Sequence, residues 1–118
     1  MIDLARDGLV DVVQYDIRRP GFSHWLEWGP QLDALGMRSA PHSYGHPWGN
    51  YAACHLSAAI DRYEMVEWDQ ADVPGLDASG YVIRDGHVTV PTAPGFGLTL
   101  DEGLFRQAVA EGGWEAAR

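Results

Sequence analysis

Three side chains suited to proton transfer each follow a short apolar stretch of the chain. They are Asp16 after Val12–Tyr15, His42 after Met37–Pro41, and Glu67 after Tyr63–Val66. Each stretch has the length and composition of a short β-strand. An imidazole beside a carboxylate is held in one tautomer, which makes a general base that works near neutral pH. The spacing therefore predicts an acid–base site built from Asp16, His42 and Glu67.

The segments between these stretches are long enough for one helix each. Ser23 to Leu35 is predicted to be a helix that Ser23 caps, that Pro30 kinks or splits, and that ends at Gly36 as a C′ residue. Trp48 to Ile60 is predicted to be a second helix with a face of small residues. Strands that alternate with helices are typical of parallel β/α units, whose chemistry lies at the carboxyl ends of the strands. The sequence thus predicts an α/β fold in which the three side chains share one cavity.

Ordinary structural roles are open for the same three residues. Asp16 can cap the loop that follows it, and His42 can be a hydrogen-bonded loop residue. Glu67 can pair with Arg62 or Arg38. The types and spacing of the residues leave these alternatives open beside the acid–base interpretation.

The loop from Pro41 to Asn50 is rich in glycine, proline and aromatic residues, and such loops on a rigid scaffold often carry function. We interpret Tyr44, His46 and Trp48 as candidate substrate-binding residues. A zinc site is an alternative, with candidate ligands His42, His46, Cys54 and His55. Gly45 and Pro47 disfavour the helix that a His-x3-His pair would need, and paired Cys-x2-Cys motifs are absent from the sequence. His24 and His87 are predicted to be surface residues.

Composition narrows the function classes. The 118 residues suffice for a single-domain core, and 8 Lys+Arg against 17 Asp+Glu give a net charge of -9. Such an acidic surface repels phosphate backbones and argues against nucleic-acid binding. Cys54 is the one cysteine, so an internal disulfide is excluded. No apolar run approaches the roughly 18 residues of a membrane span, and we expect a cytoplasmic protein without membrane contact.

The last third of the chain has a different pattern. Residues 69–80 are predicted to be a polar loop, and residues 81–90 a hairpin around the Asp85-Gly86 turn. Residues 100–110 are predicted to be a helix capped by Thr99, with Glu102 three residues further on. We therefore divide the chain into residues 1–68, with the β/α units, and residues 69–118, a closing segment.

Several of these motifs, taken in order, resemble the C-terminal third of the enolase superfamily, mandelate racemase subgroup. They are Val13-Gln14-Tyr15-Asp16, Pro41-His42, the small-residue run Ala52 to Ala59, Val66-Glu67-Trp68, the segment Asp85 to Pro91 and Pro94-Gly95-Phe96-Gly97-Leu98. The resemblance implies part of a (β/α)7β TIM-type barrel, with three parallel strands like the sixth to eighth, a closing hairpin and a C-terminal helix.

The resemblance also implies chemistry. Asp16 and His42 match the family's His–Asp general base/acid dyad, and Glu67 matches the acid that hydrogen-bonds the substrate carboxylate as it becomes an enediolate. The family's reaction is Mg²⁺-assisted removal of the proton α to a carboxylate of a sugar acid or similar substrate, followed by racemisation or loss of water. One departure is Pro20-Gly21-Phe22, where the family usually has a Gly-Gly pair.

The family's metal-binding carboxylates and Lys base lie on strands earlier than those of this chain, and its cap determines much of the specificity. We therefore expect the chain to be inactive alone, without metal ligands of its own. Open sheet edges predict association with an N-terminal part or with another copy. The alternative is a small α/β binding or interaction module that uses the loop from Pro41 to Asn50.

Overall fold

The computed structural model describes residues 2–19, 21–45, 47–69 and 72–113. The chain divides into two compact units, Met1–Ala71 and Asp72–Arg118. Within the described residues, no helix is both long enough and apolar enough to cross a membrane.

The first unit alternates short strands with helices. Its elements are α1 (Ile2–Arg6), β1 (Val12–Val13), α2 (Phe22–Ala34), β2 (Arg38–Ser39) and α3 (Pro47–Leu56). β1 and β2 are parallel, with Val12 opposite Arg38 and Val13 opposite Ser39. The predicted third strand, Tyr63–Val66, is reduced to an isolated parallel bridge between Ser39 and Tyr63. The unit is α/β, as predicted, with β2 between two extended neighbours.

Backbone hydrogen bonds continue this pairing beyond the strands. The His42 amide donates to the Tyr15 carbonyl at 3.1 Å, and the Ile17 amide donates to the His42 carbonyl at 2.9 Å. On the other side of β2, the Ser39 amide donates to the Arg62 carbonyl and the Glu64 amide donates to the Ser39 carbonyl. The three segments therefore run side by side, and their carboxyl ends lie at one edge.

α2 differs from its prediction at its start and in its middle. It begins at Phe22 after Gly21, which has φ +102° and provides no side-chain cap, so the predicted capping by Ser23 is wrong. Pro30 lies inside the helix and does not split it. The predicted end is confirmed: Gly36 has φ +76°, and its amide donates to the Asp33 carbonyl while that of Met37 donates to the Leu32 carbonyl. This pair of bonds is a Schellman motif.

α2 packs on β2 and on α3, and together the helices contribute a buried apolar layer. Trp25, Leu32 and Leu56 are fully buried. α3 begins at Pro47 and ends at Leu56, so it starts one residue earlier and stops four residues sooner than predicted. Cys54 lies in this layer, where burial raises the pKa of its thiol to about 12. A thiol that stays protonated is a poor metal ligand, so Cys54 is a packing residue.

The second unit contains two antiparallel pairs and a helix. Its elements are β3 (Leu76–Asp77), β4 (Ile83–Arg84), β5 (His87–Val88), β6 (Thr99–Leu100) and α4 (Glu102–Gly112), with β4 paired to β5 and β3 paired to β6. Asp85 and Gly86 both have positive φ, as a type I′ hairpin turn requires.

The start of α4 corrects the predicted cap. Thr99 and Leu100 belong to β6, and the cap is Asp101, whose carboxylate accepts from the Leu104 amide at 2.9 Å. Thr99 could cap a helix, but its pairing with β3 opposite Asp77 places it in a strand. The helix therefore begins two residues later than residue 100.

Candidate acid–base site

The candidate site lies at the carboxyl ends of β1, β2 and the segment that follows Arg62. Asp16 and His42 face each other as a parallel bridge just beyond β1 and β2. Glu67 follows the third extended segment. The backbone pairing of these three segments fixes the separation of the side chains, since adjacent parallel strands lie about 4.8 Å apart.

His42 and Asp16 are in direct contact. His42 Nδ1 lies 3.1 Å from Asp16 Oδ2. The two side chains are 37% and 28% exposed, so the pair is partly buried yet reachable from solvent. A carboxylate can only accept a hydrogen bond, so in the neutral imidazole the proton lies on Nδ1 and the lone pair on Nε2.

Glu67 lies on the other side of the imidazole. Its Oε2 is 3.7 Å from His42 Nε2, which is beyond hydrogen-bond distance. Oε2 instead accepts from the Ser43 amide at 2.9 Å and from the Tyr44 amide at 3.3 Å. Among the described residues, neither His42 Nε2 nor Glu67 Oε1 has a hydrogen-bond partner. Two neighbouring side chains therefore each have one polar atom without a hydrogen-bond partner among these residues.

Arg18 is a further residue of the site. Its guanidinium donates hydrogen bonds to both carboxylate oxygens of Asp16, from Nε to Oδ1 at 2.9 Å and from Nη2 to Oδ2. The Arg18 amide also donates to Oδ1 at 2.8 Å. Arg18, as hydrogen-bond donor and positive charge, holds the pKa of Asp16 well below its usual range, with a smaller contribution from His42. An Arg two residues after a strand-end Asp was the available sequence signal.

Three further residues hold the segment that carries Glu67. Ser43 is fully buried, and its Oγ donates to the Glu67 carbonyl at 2.8 Å. Asn50, 1% exposed, donates from Nδ2 to the Asp69 carbonyl at 2.7 Å and accepts from the Asp69 amide at 3.1 Å. Asp69 in turn accepts from the Gly45 amide at 3.0 Å. The sequence indicated none of these contacts, since each joins residues 19 or more positions apart.

Of the three candidate substrate-binding residues, two can be placed. Tyr44 is 67% exposed and Trp48 is 51% exposed. Trp48 packs edge-on against Tyr51 at 6.4 Å, and Tyr51 against Trp68 at 6.2 Å. The candidate role of His46 stays a prediction, because this residue lies outside the described part of the chain.

The zinc alternative gains no support from the geometry. Within residues 2–19, 21–45, 47–69 and 72–113, no group of three His, Cys, Asp or Glu side chains could hold a metal ion. The carboxylates of Asp16, Glu67 and Asp69 already accept from Arg18 or from backbone amides. The residues described therefore do not fit a magnesium or zinc centre. His24 and His87 are exposed, as predicted.

The contacts of Asp16 predict a pH dependence of stability. A carboxyl whose pKa is lowered by folding stabilises the protein above its unfolded pKa of about 3.9, and this contribution is lost as the pH falls further. Urea unfolding at pH 7, 5, 4 and 3 should show that the advantage of the native chain over Asp16→Asn shrinks with falling pH. Asp11→Asn, which removes an exposed carboxylate near β1, is the control. A difference from Asp16→Asn that is the same at every pH would contradict the pairing.

Comparison with known proteins identifies the fold. The galacturonate dehydratase of a Geobacillus species, in complex with D-galacturonate and 5-keto-4-deoxy-D-galacturonate, is 50% identical with a TM-score of 0.91 over 96% of this chain and 30% of that one. A mandelate racemase/muconate lactonizing protein of Geobacillus, complexed with magnesium and tartrate, is 49% identical with a TM-score of 0.92 over 99% of this chain and 30% of that one. Arabinonate dehydratase of Saccharolobus solfataricus is 24% identical over 112 residues.

These relatives are longer proteins, and the chain spans 29% of the arabinonate dehydratase. Residues 1–104 match the family model described as enolase C-terminal domain-like. That match covers most of the chain. The chain therefore belongs to the enolase superfamily, on its mandelate racemase/muconate lactonizing branch, and corresponds to the C-terminal part of its acid-sugar dehydratase homologues.

Proposed function

We propose that this chain supplies the acid–base part of an active site that removes the proton α to the carboxylate of a sugar acid and so leads to loss of water. One observation carries the proposal: His42 lies between Asp16 and Glu67, with Nδ1 bound and Nε2 open. The 50% identity with a galacturonate dehydratase favours a sugar acid of that class as substrate.

His42 acts as the base in this proposal. Because Asp16 accepts from Nδ1–H, the lone pair on Nε2 is the site that takes the proton. Asp16 then stabilises the imidazolium that forms, as the orienting carboxylate does in a catalytic triad. The imidazolium can return that proton to the hydroxyl that leaves.

Glu67 stabilises the charge that develops on the substrate carboxylate. Its Oε2 is held by the Ser43 and Tyr44 amides, so Oε1 is the oxygen left to carry a proton toward the substrate. A donor held in place before the reaction lowers the barrier because it needs no reorganisation when charge develops. Tyr44 in the neighbouring loop and Trp48 in the first turn of α3 offer exposed aromatic faces for the body of the sugar.

Magnesium enters the proposal from the relatives, one of which is complexed with magnesium and tartrate. Since the described residues do not fit a metal centre, we propose that the ion's ligands come from outside this chain. The chain by itself then has no turnover, because the enediolate lacks the positive charge that would stabilise it.

The open edge of β1 is where we propose that further strands pair with this unit. We propose that the three segments correspond to the sixth to eighth strands of a barrel. An open hollow of about 150 Å³ beside β1 is lined mainly by apolar side chains, among them Leu4, Val10 and Val12. Leu9 and Tyr15 are 68% and 47% exposed. An apolar open edge of this kind pairs with further strands, supplied by the rest of a longer chain or by another copy.

A second candidate function is a binding module. The exposure of Tyr44 and Trp48 favours it, because large exposed aromatic side chains suit ligand binding. The module would bind a small sugar acid without any turnover.

A chimera distinguishes these functions. Residues 1–113 replace the matching segment of the Geobacillus galacturonate dehydratase, so that the rest of that enzyme supplies the metal ligands. We expect Mg²⁺-dependent dehydration of D-galacturonate by the chimera and none by the 118-residue chain alone. A folded chimera that binds D-galacturonate without turnover would favour the module, and dehydration by the chain alone would contradict the proposed division of the site.

A further inference from the structure

We propose that Arg18 is a positioning residue, which fixes the carboxylate of Asp16 so that Oδ2 meets His42 Nδ1 and the imidazole keeps Nε2 unprotonated. This inference rests on the proposed function, since the open Nε2 is the atom that takes the proton there. Arg18 itself touches neither Nε2 nor Glu67 among the contacts of the described residues.

The geometry of the contact carries the inference. Arg18 Nε lies 2.9 Å from Oδ1 and 3.1 Å from Oδ2, and Nη2 bonds to Oδ2. The Arg18 amide donates to Oδ1 at 2.8 Å. Both oxygens are therefore held by one residue, and the planar fork of the guanidinium opposes rotation of the carboxylate about its Cβ–Cγ bond.

Without the guanidinium contacts the carboxylate would keep two hydrogen bonds, from the Arg18 amide to Oδ1 and from the imidazole to Oδ2. A terminal carboxylate torsion is broad and roughly two-fold, so the backbone alone selects its orientation weakly. Loosening it weakens the acceptor that keeps the proton on Nδ1, and the Nε2–H tautomer then becomes populated.

Stability alone does not account for the geometry of this ion pair. The Arg18 side chain is 47% exposed and that of Asp16 is 28% exposed. Water screens a pair with this exposure and two side chains lose freedom, so its contribution to the free energy of unfolding is reduced. An oriented neighbour of His42 is a more specific consequence of the same contacts.

Arg19 provides the matched control. It follows Arg18 directly and lines the same open hollow of about 620 Å³, together with Tyr15 and Asp16. Arg19 is exposed and makes no ion pair within the described residues. Replacing it changes the net charge as much as replacing Arg18 does, without touching the Asp16 carboxylate.

The test is a ¹⁵N NMR measurement of the His42 ring in the intact 118-residue chain at fixed pH, for the native sequence, R18Q, R18K and R19Q. Long-range ¹H–¹⁵N correlations report which ring nitrogen carries the proton, and an H42N sample assigns the signals. We expect R18Q to lower the ratio of Nδ1–H to Nε2–H by about threefold or more, as for one weakened hydrogen bond. R18K should restore part of the ratio, and R19Q should leave it unchanged.

An unchanged ratio in R18Q, or an equal change in R19Q, would overturn the inference. Backbone amide spectra that coincide outside the neighbourhood of residue 18 exclude a general loss of structure. Because this readout needs no turnover, it separates the two proposals. An inactive chimera would contradict the proposed function, whereas the tautomer ratio of His42 would still decide whether Arg18 positions Asp16.

Discussion

Replacing His42 with asparagine in the chimera is expected to lower kcat for D-galacturonate dehydration by about 10²–10⁴-fold, the usual contribution of a positioned general base. Asparagine can still donate to Asp16 from its amide, so the neighbouring side chain keeps a partner. It has no lone pair in place of Nε2 that could take a proton. The loss should therefore fall on kcat, while KM changes little.

The matched control for this variant is His87→Asn. His87 is exposed in β5, where its Nδ1 lies 3.0 Å from the Asp85 carbonyl. It carries the same chemical change outside the candidate site. Steady-state kinetics of both chimeras at saturating Mg²⁺ decide the matter. Equal kcat values for His42→Asn and the unmodified chimera would remove His42 from the mechanism.

Replacing Asn50 with alanine is expected to lower the free energy of unfolding of the first unit by about 2–4 kcal/mol. Asn50 is 1% exposed, and its amide forms both a donor and an acceptor bond with the Asp69 backbone. Alanine removes both partners and leaves a backbone N–H and a C=O without them. Truncating a side chain in the packed interior adds the cost of a small cavity.

The control for Asn50→Ala is Gln31→Ala, in the same unit. Gln31 is exposed, and its Nε2 donates to the Glu27 carbonyl at 2.8 Å on the surface of α2. Urea unfolding followed by tryptophan fluorescence should separate the two variants clearly. Amide exchange at Ser43 and Tyr44 should also speed up in Asn50→Ala, because these amides hold Glu67. Equal stability of the two variants would contradict the account of this contact.

The positions of the three acid–base side chains could be predicted, because each of them follows an apolar stretch with the length of a strand. Polar residues at the ends of apolar stretches predicted that Asp16, His42 and Glu67 would meet, and the structure brings them to 3.1 Å and 3.7 Å. Gly36 could be predicted as a helix end because the left-handed conformation there favours glycine. Their catalytic roles stay a proposal.

Other features depend on competition that a local pattern does not show. Thr99 and Asp101 are both competent caps, and the pairing of β6 with β3 decides for Asp101. The residue before α2 is Gly21 and not the predicted cap Ser23. The chain enters the helix at φ +102°, which few residues other than glycine adopt. Asn50 bonds to a segment 19 positions away, so composition and spacing carry no sign of that contact, whereas the only sign of the Arg18 contact is its place two residues after Asp16.

The proposed function depends most on one step, in which His42 Nε2 takes the proton from the carbon next to the substrate carboxylate. It is tested most directly with D-galacturonate that carries deuterium at that carbon. The rate at which the chimera releases the label to water is compared with the rate in its His42→Asn variant. We expect rapid release by the chimera and a loss in the variant as large as the loss in kcat, whereas undiminished release by the variant would contradict this role of His42.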